Sequence, residues 1–365
     1  MERTNRLTVC RLSSVGRDTL IWGLLCFAIL QVGFGVVVDR WCPDIRHPEY
    51  GRKLSLIKTR AAERPESPLL LALGTSRTAF GFCPGAGHDQ AAWQFNFGLT
   101  GIGPVQELIC LRRLLAAGVR PAQLLIEIHP AFLHQTPGWC EARGVDVRKL
   151  DGHDLAVLCR YAYQPAELAW GWIVSRLSPW YSYRTELLRR AMPCWLEEVS
   201  RRDERMLAET DGLGWSRFPV RPADDAERQR VGRLCADLYK GPLADFEVSG
   251  LVRDAVDEML TICRREQIDA ALVLMPEGEL FRGRYPRAAL NRLDDYLEDV
   301  RQRFAIRVFD CRLWCDDRQF CDGQHLLPEG AQAFTARLRG DLLSPWLASR
   351  PSAEVAARPT GSERQ

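Results

Sequence analysis

Short apolar runs and longer helical repeats of apolar positions succeed one another along most of this chain. The runs that predict buried parallel strands are residues 68–74, 93–97, 122–128, 268–276 and 306–310. The repeats that predict amphipathic helices are residues 103–118, 287–304 and 328–346. Because strands alternate with helices, the pattern predicts an α/β fold with a doubly wound parallel sheet. Ligands of such sheets bind beyond the carboxyl ends of the strands, so the loops at that edge are the ones to inspect.

Residues 134–250 interrupt this alternation, because they contain no clear strand pattern and are predicted to form a helical insertion. The insertion carries several aromatic residues, among them Trp195 and Trp215. Exposed aromatic rings could stack on sugars, although aromatic residues in helical segments more commonly pack their own core. The predicted body of the protein is a single domain, residues 68–348, followed by a predicted disordered tail, residues 349–365.

The most apolar segment lies near the N-terminus, from Thr19 to Val38, and contains no charged residue. Its length is sufficient to span a hydrocarbon core of ~30 Å. A cleaved signal peptide is the alternative, but its apolar region is usually shorter, and no small-x-small cleavage site follows the run. Residues 19–38 therefore predict an uncleaved anchor between an N-terminal tail, residues 1–18, and a polar stalk, residues 39–67. Arginines lie on both sides of the anchor, so the positive-inside rule does not determine its orientation.

Composition and charge exclude some classes of protein. The chain has 365 residues and a net charge of only +2, so it shows no basic footprint and no nucleic-acid partner is expected. It has 13 cysteines, but a chain of this length has enough core to fold without a disulfide scaffold. The sequence does not determine whether any of these cysteines pair.

The first predicted strand ends in GTSRTAFGF, which places Ser76 at the turn into the next element. A serine at a strand-to-helix turn exposes its hydroxyl, as in a nucleophile elbow, although the G-x-S-x-G pattern is absent. Serine needs a base that is oriented by a third group. Of the six histidines, only His325 combines a carboxylate three residues away, Asp322, with a position after the last predicted strand.

Asp322 and His325 belong to the segment DGQHLLPEGAQAF, in which Pro328 and Glu329 suit the first turn of the last predicted helix. Each candidate residue also has an ordinary structural interpretation. Ser76 would cap a helix, and Asp322 and His325 would be a cap and a surface residue. The combination of all three in one α/β sheet, in this chain order, favours a serine–histidine–aspartate triad.

The segments LGTSRTAFGF and DGQHLLPEGA together resemble the first and last motifs of the SGNH (GDSL-like) hydrolase superfamily. The resemblance implies a three-layer, flavodoxin-like α/β domain without a cofactor. It also implies that Ser76 is the nucleophile, His325 the base and Asp322 the acid that orients it.

The same resemblance implies an oxyanion hole. Its donors would be the N–H of Ser76 and the N–H of a glycine in NFGLTGIGP, either Gly101 or, as the alternative, Gly98. The third motif of the superfamily, Gly-x-Asn-Asp, is missing here. The third predicted strand ends instead in IEIHP, which makes His129 the candidate for a third donor.

The N-terminal span, the G-x-S-R sequence and the strand that ends in a proline turn resemble the membrane-anchored branch of this superfamily. That branch includes proteins of alginate O-acetylation and the protein that completes D-alanylation of teichoic acids. The resemblance implies an acyl-ester hydrolase or O-acyltransferase that acts on an acylated glycan or another envelope polymer. It implies a single-pass protein of the inner membrane with a periplasmic catalytic domain, and an integral-membrane acyltransferase as a further candidate partner. A non-catalytic envelope protein with a degenerate site is the alternative.

Three charged residues near the same sheet edge are weaker candidates for contacts with substrate: Arg77, Glu277 and Arg282. Arg77 directly follows the predicted nucleophile, and the other two lie in MPEGELFRGRYP after the fourth strand. An ordinary surface salt bridge is the alternative for Glu277 and Arg282.

A zinc site is the competing interpretation of the C-terminal region, with Cys311, Cys315, Cys321 and His325 as its ligands. The cysteine spacings are irregular for zinc, and a histidine bound to zinc could not also serve as the base. No metal is therefore predicted.

Overall fold

A computed structural model describes residues 14–85, 92–197 and 207–349. The predicted N-terminal tail lies outside these ranges up to residue 13, and the predicted disordered tail lies outside them from residue 350 onward.

Five strands form one sheet, and each predicted strand is confirmed within two residues at either end. The strands are β1 (Leu69–Gly74), β2 (Trp93–Gly98), β3 (Gln123–Glu127), β4 (Asp269–Leu274) and β5 (Arg307–Asp310). Their order in the sheet is β2-β1-β3-β4-β5, and every neighbouring pair is parallel. The α/β prediction with a parallel sheet is thereby confirmed.

The remaining regular structure is almost entirely helical, and the three predicted helices are present at α5, α16 and α17. The helices that precede β3 are α1 (Ser14–Trp41), α2 (Pro43–Arg46), α3 (Pro48–Glu63), α4 (Ser76–Gly81) and α5 (Pro104–Ala116). Between β3 and β4 lie α6 (Pro130–Leu133), α7 (Glu141–Gly144), α8 (Gly152–Arg160), α9 (Pro165–Leu177), α10 (Pro179–Ser182), α11 (Arg184–Ala191), α12 (Asp225–Leu238), α13 (Lys240–Ala244) and α14 (Gly250–Arg265). The last helices are α15 (Glu279–Arg282), α16 (Arg287–Phe304), α17 (Pro328–Leu338), a π-helical turn (Arg339–Leu343) and α18 (Ser344–Ala348).

Helices cover both faces of the sheet. Leu71 and Leu73 of β1 belong to a buried cluster with residues of α5, α14 and α16. Leu70 and Ala72 alternate with them and belong to a second cluster that includes Phe334 of α17. Because successive side chains of a strand point to opposite faces, both faces of β1 need apolar cover. This requirement explains why β1 reads as an unbroken apolar run.

Helix α1 has the length and composition of a membrane-spanning helix. The most apolar 18-residue window within Gly16–Trp41 has a mean hydropathy of 2.3, and only 11% of that window is buried against the rest of the protein. A core helix would be mostly buried, so the packing of α1 differs from that of a core helix.

The predicted stalk contains two helices, α2 and α3, and α3 packs against the body. Ile57 of α3 is fully buried in the same cluster as β1, and Lys53 is fully buried beside the loop that follows β2. Tyr50, Leu54 and Ile57 recur at helical spacing and pack on this cluster, but the charged residues among them mask this short stripe in the sequence.

The described part of residues 134–250 is built of helices and turns. The two tryptophans considered above, Trp195 and Trp215, differ in their exposure. Trp215 is buried and donates its indole N–H to Phe80 O at 2.8 Å, whereas Trp195 is 70% exposed. Trp215 therefore packs a core, as the ordinary interpretation of these aromatic residues expected.

Candidate active site

The turn from β1 into α4 brings Ser76 to His325, which lies 249 residues away in the sequence. Ser76 is the first residue of α4, and its Oγ is 2.8 Å from His325 Nε2. The other ring nitrogen, His325 Nδ1, is 2.7 Å from Asp322 Oδ2. The three residues predicted as a triad are thus joined by two hydrogen bonds.

Asp322 is held in its charged form. Its Oδ1 accepts hydrogen bonds from the backbone N–H of His325 at 2.8 Å and of Gln324 at 3.0 Å. Burial alone would raise the pKa of Asp322, but its interaction with the His325 ring and these hydrogen bonds lower that pKa below its usual range. A carboxylate only accepts, so His325 Nδ1 carries the proton and Nε2 is free to accept from the Ser76 hydroxyl.

Two aromatic rings enclose the His325 imidazole. The ring of Phe218 stacks on it with centroids 4.8 Å apart and planes inclined by 11°. The ring of Phe80, from α4, meets it edge-on at 5.6 Å. The sequence gives no sign of this role of Phe218, because Phe218 lies in the insertion and no local pattern connects it with His325.

Phe218→Ala is expected to lower kcat for a short acyl ester by about 10–100-fold, because a small displacement of a catalytic group can cost this much. The measurement is steady-state kinetics of the purified chain, with melting temperature recorded in parallel. Leu313→Ala, which alters a 77% exposed apolar side chain, is the matched control. An unchanged kcat in Phe218→Ala would show that Asp322 alone orients the imidazole.

A buried carboxylate at the end of β3 holds the nucleophile turn. Glu127 Oε2 accepts from the backbone N–H of Thr75 at 2.9 Å and of Thr78 at 3.1 Å. The same oxygen accepts from the Thr78 hydroxyl at 2.6 Å. A charged residue in an otherwise apolar strand was visible in the sequence IEIHP, but its partners were not.

These contacts leave one N–H of the turn free. Glu127 accepts from Thr75 and Thr78, and the N–H of Arg77 donates to Thr75 Oγ1 at 3.1 Å. The N–H of Ser76 has no acceptor among the residues that the structure describes. Since the first N–H groups of a helix lack intrahelical acceptors, this group is available to an oxyanion.

Gly98, the alternative second donor, is already engaged. Its N–H donates to Asn96 Oδ1 at 2.9 Å. A Cβ on Gly98 would lie only 2.4 Å from the backbone nitrogen of Ala79, so glycine is needed here for close approach of α4 to β2. The N–H of Gly98 is therefore structural in this arrangement.

Gly101 remains the candidate for the second donor. It is exposed, has a φ of +71° and has no hydrogen-bond acceptor for its N–H within the described ranges. Helix α3 holds the loop that carries it. Lys53 Nζ donates to Gly98 O at 2.6 Å, and Glu49 Oε2 accepts from the Thr100 hydroxyl at 2.8 Å. Burial lowers the pKa of Lys53 to about 8, even though the Glu49 carboxylate raises it.

His129 lies in a buried aromatic pocket with its Nε2 2.9 Å from Gln324 Oε1. Burial and then the nearby charge of Arg77 hold the pKa of His129 well below its usual value, so the ring is neutral. Because an amide oxygen only accepts, His129 donates its Nε2 proton to Gln324. The predicted third oxyanion donor is thus committed to a neighbouring side chain.

Arg77 and Glu277, predicted as weak substrate contacts, are both buried. Arg77 donates to Glu277 Oε1 at 3.2 Å and to Met275 O at 2.6 Å, and its Nε lies 3.7 Å from Glu127 Oε1. These contacts replace the predicted role, since both side chains are almost wholly excluded from solvent. Buried charges of this kind require partners, and the charges of Glu127 and Glu277 flank Arg77.

Arg282 is half-buried and donates to two backbone carbonyls, those of Glu277 and Arg312. The carboxylate of Glu277 is occupied by Arg77 and by the Tyr285 hydroxyl at 2.9 Å. The surface salt bridge considered for Glu277 and Arg282 is therefore absent from this part of the structure.

The cysteines of the zinc interpretation are buried free thiols. Burial raises the pKa of Cys315 and of Cys321 to about 12, and it also raises the pKa of Cys311. Both ring nitrogens of His325 face the triad instead. Within the described ranges, no three His, Cys, Asp or Glu side chains are grouped so that they could hold a metal ion.

A cavity of about 450 Å³ opens beside the triad. Phe80, Phe218, Thr100 and Asp322 line it near the catalytic residues. Its walls also carry charged side chains of both signs from α3, α11 and the segment between α7 and α8, namely Glu49, Lys149, Glu186 and Arg189. This cavity provides space for a polar ligand beside Asp322 and the two rings that enclose His325.

Comparison of the chain with models of known protein families and with curated proteins returns no match.

Proposed function

We propose that this protein is a serine-dependent acyl-ester hydrolase or O-acyltransferase that works through an acyl-enzyme. The observation that carries the proposal is the hydrogen-bonded chain from Ser76 Oγ through His325 to Asp322, at 2.8 and 2.7 Å. The strand order 2-1-3-4-5 supports a flavodoxin-like domain of the SGNH type, and Ser76 follows β1 beside the point where that order reverses.

The proposed reaction begins when Ser76 Oγ attacks an acyl carbonyl and His325 Nε2 takes the hydroxyl proton. The charge of Asp322 stabilises the imidazolium that forms. The N–H of Ser76, with that of Gly101 as second donor, binds the oxyanion. Collapse of the tetrahedral intermediate breaks the ester C–O bond, and His325 returns its proton to the departing alcohol. Water or a sugar hydroxyl then attacks the acyl-enzyme, with His325 acting again as base.

The proposed substrate is an acylated glycan or another polymer of the cell envelope. Two features support a polar substrate near a membrane: the charged cavity beside the triad, and α1, whose length and apolar composition suit a membrane span. Hydrolysis and transfer use the same residues and differ only in the acceptor that reaches the acyl-enzyme.

The second candidate is a non-catalytic envelope protein that binds a glycan or a membrane acyltransferase through a degenerate site. The observation that favours it is the commitment of the His129 proton to Gln324, which leaves two candidate oxyanion donors instead of three. The hydrogen-bonded triad argues against it, since a degenerate site has no need of an oriented base.

A fluorophosphonate probe separates the two candidates, because it labels only an activated serine. We expect stoichiometric labelling of the purified chain at Ser76, loss of label in Ser76→Ala and strongly slowed labelling in His325→Gln. Ser55→Ala and His153→Gln, which alter exposed residues, are the matched controls. A native chain that is folded but takes no label would favour the binding protein.

We further expect the body to lie on the periplasmic side of the inner membrane, anchored by α1. Protease added to intact spheroplasts should then digest the body, whereas a cytoplasmic marker protein survives. Digestion of the body only after lysis would reverse the proposed orientation.

A further inference from the structure

Helix α9 carries an apolar stripe that faces away from the protein. Trp170, Ile173, Val174 and Leu177 recur at the spacing of one helix face and are 66, 45, 46 and 68% exposed. In a globular protein, such a stripe normally faces the core. The core side of α9 is occupied by Trp172, which packs partly buried against the main cluster. The exposed stripe therefore needs another partner.

The stripe continues into α10, where Trp180 and Tyr181 are 60 and 62% exposed. We call these six residues the aromatic face: Trp170, Ile173, Val174, Leu177, Trp180 and Tyr181. The guanidinium of Arg184 lies 3.8 Å from the centre of the Tyr181 ring, so a basic group borders the face. Tryptophan, tyrosine and arginine at the rim of an apolar surface are typical of a membrane interface.

Direct contacts place the aromatic face beside α1. The Trp180 ring meets the Phe34 ring edge-on, with centroids 5.4 Å apart. The backbone N–H of Trp180 donates to Gln31 Oε1 at 3.4 Å. Pro179 lies 3.2 Å from the position of a Cβ on Gly35, so a small residue allows the close approach of α10.

These contacts fall inside the apolar part of α1. Gln31 precedes Asp39, the first charged residue after the span, by eight residues, which corresponds to about 12 Å along the helix axis. Arg176 at the end of α9 pairs with Asp39 at 2.8 Å and marks the polar boundary. A bilayer that surrounds α1 as far as Val38 would reach Trp180 and the stripe next to it.

We propose that the aromatic face is immersed in the lipid bilayer around α1, beside the half of the span that ends at Asp39. The proposal rests on the membrane location of α1 within the proposed function. Lipid is the occupant because the face continues the surface of the span itself. The body is then held at the membrane by two elements, α1 and α9–α10. Two attachments restrict the orientation of the body relative to the membrane more than α1 alone would.

The test uses the full chain in vesicles of phosphatidylethanolamine and phosphatidylglycerol, with a benzophenone amino acid at one position at a time. The test positions are Leu177 and Trp180. Leu30, a 70% exposed residue of α1, is the positive reference. Arg265, whose side chain is 71% exposed, is the negative reference, because it precedes β4 and lies at the amino edge of the sheet. Adducts are identified by mass after irradiation, and melting temperature confirms that each variant is folded.

We expect phospholipid adducts at Leu177 and Trp180 in yields of the same order as at Leu30 and about tenfold above that at Arg265. Adducts at Leu30 but only background at both test positions would overturn the aromatic face and leave the anchor standing. A covalent dimer through Leu177 in place of lipid adducts would assign the face to a second copy and would also overturn the proposal. Background at Leu30 as well would overturn the anchor together with the face. Fluorophosphonate labelling of Ser76 in the same vesicles reports on the chemistry independently of all these outcomes.

Discussion

Ser76→Ala is expected to reduce turnover of a short acyl ester by about 10⁶-fold, the scale of loss when one member of a tightly coupled serine–histidine pair is removed. The Ser76 hydroxyl supplies the attacking oxygen and contributes one hydrogen bond, at 2.8 Å, to His325. Its side chain is half-buried, so its removal leaves only a small cavity. Melting temperature should therefore change little, and a large loss of stability would indicate a structural role for Ser76 instead.

The coupling between Ser76 and His325 provides a sharper test of the same claim. A nucleophile and its base act as one unit, so Ser76→Ala, His325→Gln and the double variant should be similarly inactive. Asp322→Asn should be somewhat less impaired, because Asp322 orients the base without taking part in bond formation. Losses that multiply in the double variant would show two independent sites and contradict the triad. Bound metal, measured in all variants, tests the zinc interpretation, which requires that His325→Gln and Cys321→Ser both release zinc.

Arg77→Met is expected to destabilise the protein by about 3–5 kcal/mol, because it leaves buried carboxylates without their countercharge. Glu277 Oε1 lies 3.2 Å and Glu127 Oε1 lies 3.7 Å from Arg77, and all three side chains are almost wholly excluded from solvent. Burial already raises the pKa of Glu277 against the opposing effect of Arg77. Without Arg77, Glu277 is expected to take up a proton or to force a local rearrangement.

The measurement for Arg77→Met is the free energy of unfolding from urea titration in detergent. Arg221→Met is the matched control, because it breaks an ion pair with Glu329 in which both side chains are more than 60% exposed. Such exposed pairs contribute about 0–1 kcal/mol. A raised KM with unchanged stability in Arg77→Met would restore the predicted contact between Arg77 and substrate.

The strands of this protein and the residue types of its candidate site could be predicted from the sequence. A buried parallel strand needs apolar residues on both faces, so each of β1 to β4 is recognisable as a short apolar run in the sequence. The serine at the strand-to-helix turn and the Asp-x-x-His segment are equally local, because each depends on neighbours within a few residues. The apolar span of α1 is local for the same reason.

Tertiary structure alone decided which distant side chains meet and which charges are buried. The order of the strands, the stacking of Phe218 on His325 and the hold of Glu127 on the Ser76 turn all depend on partners far apart in the chain. An arginine next to a nucleophile looks the same in a sequence whether it faces a ligand or a buried carboxylate. Its partners across the sheet determine its role, since the cost of burying a charge depends on what lies within a few ångströms of it.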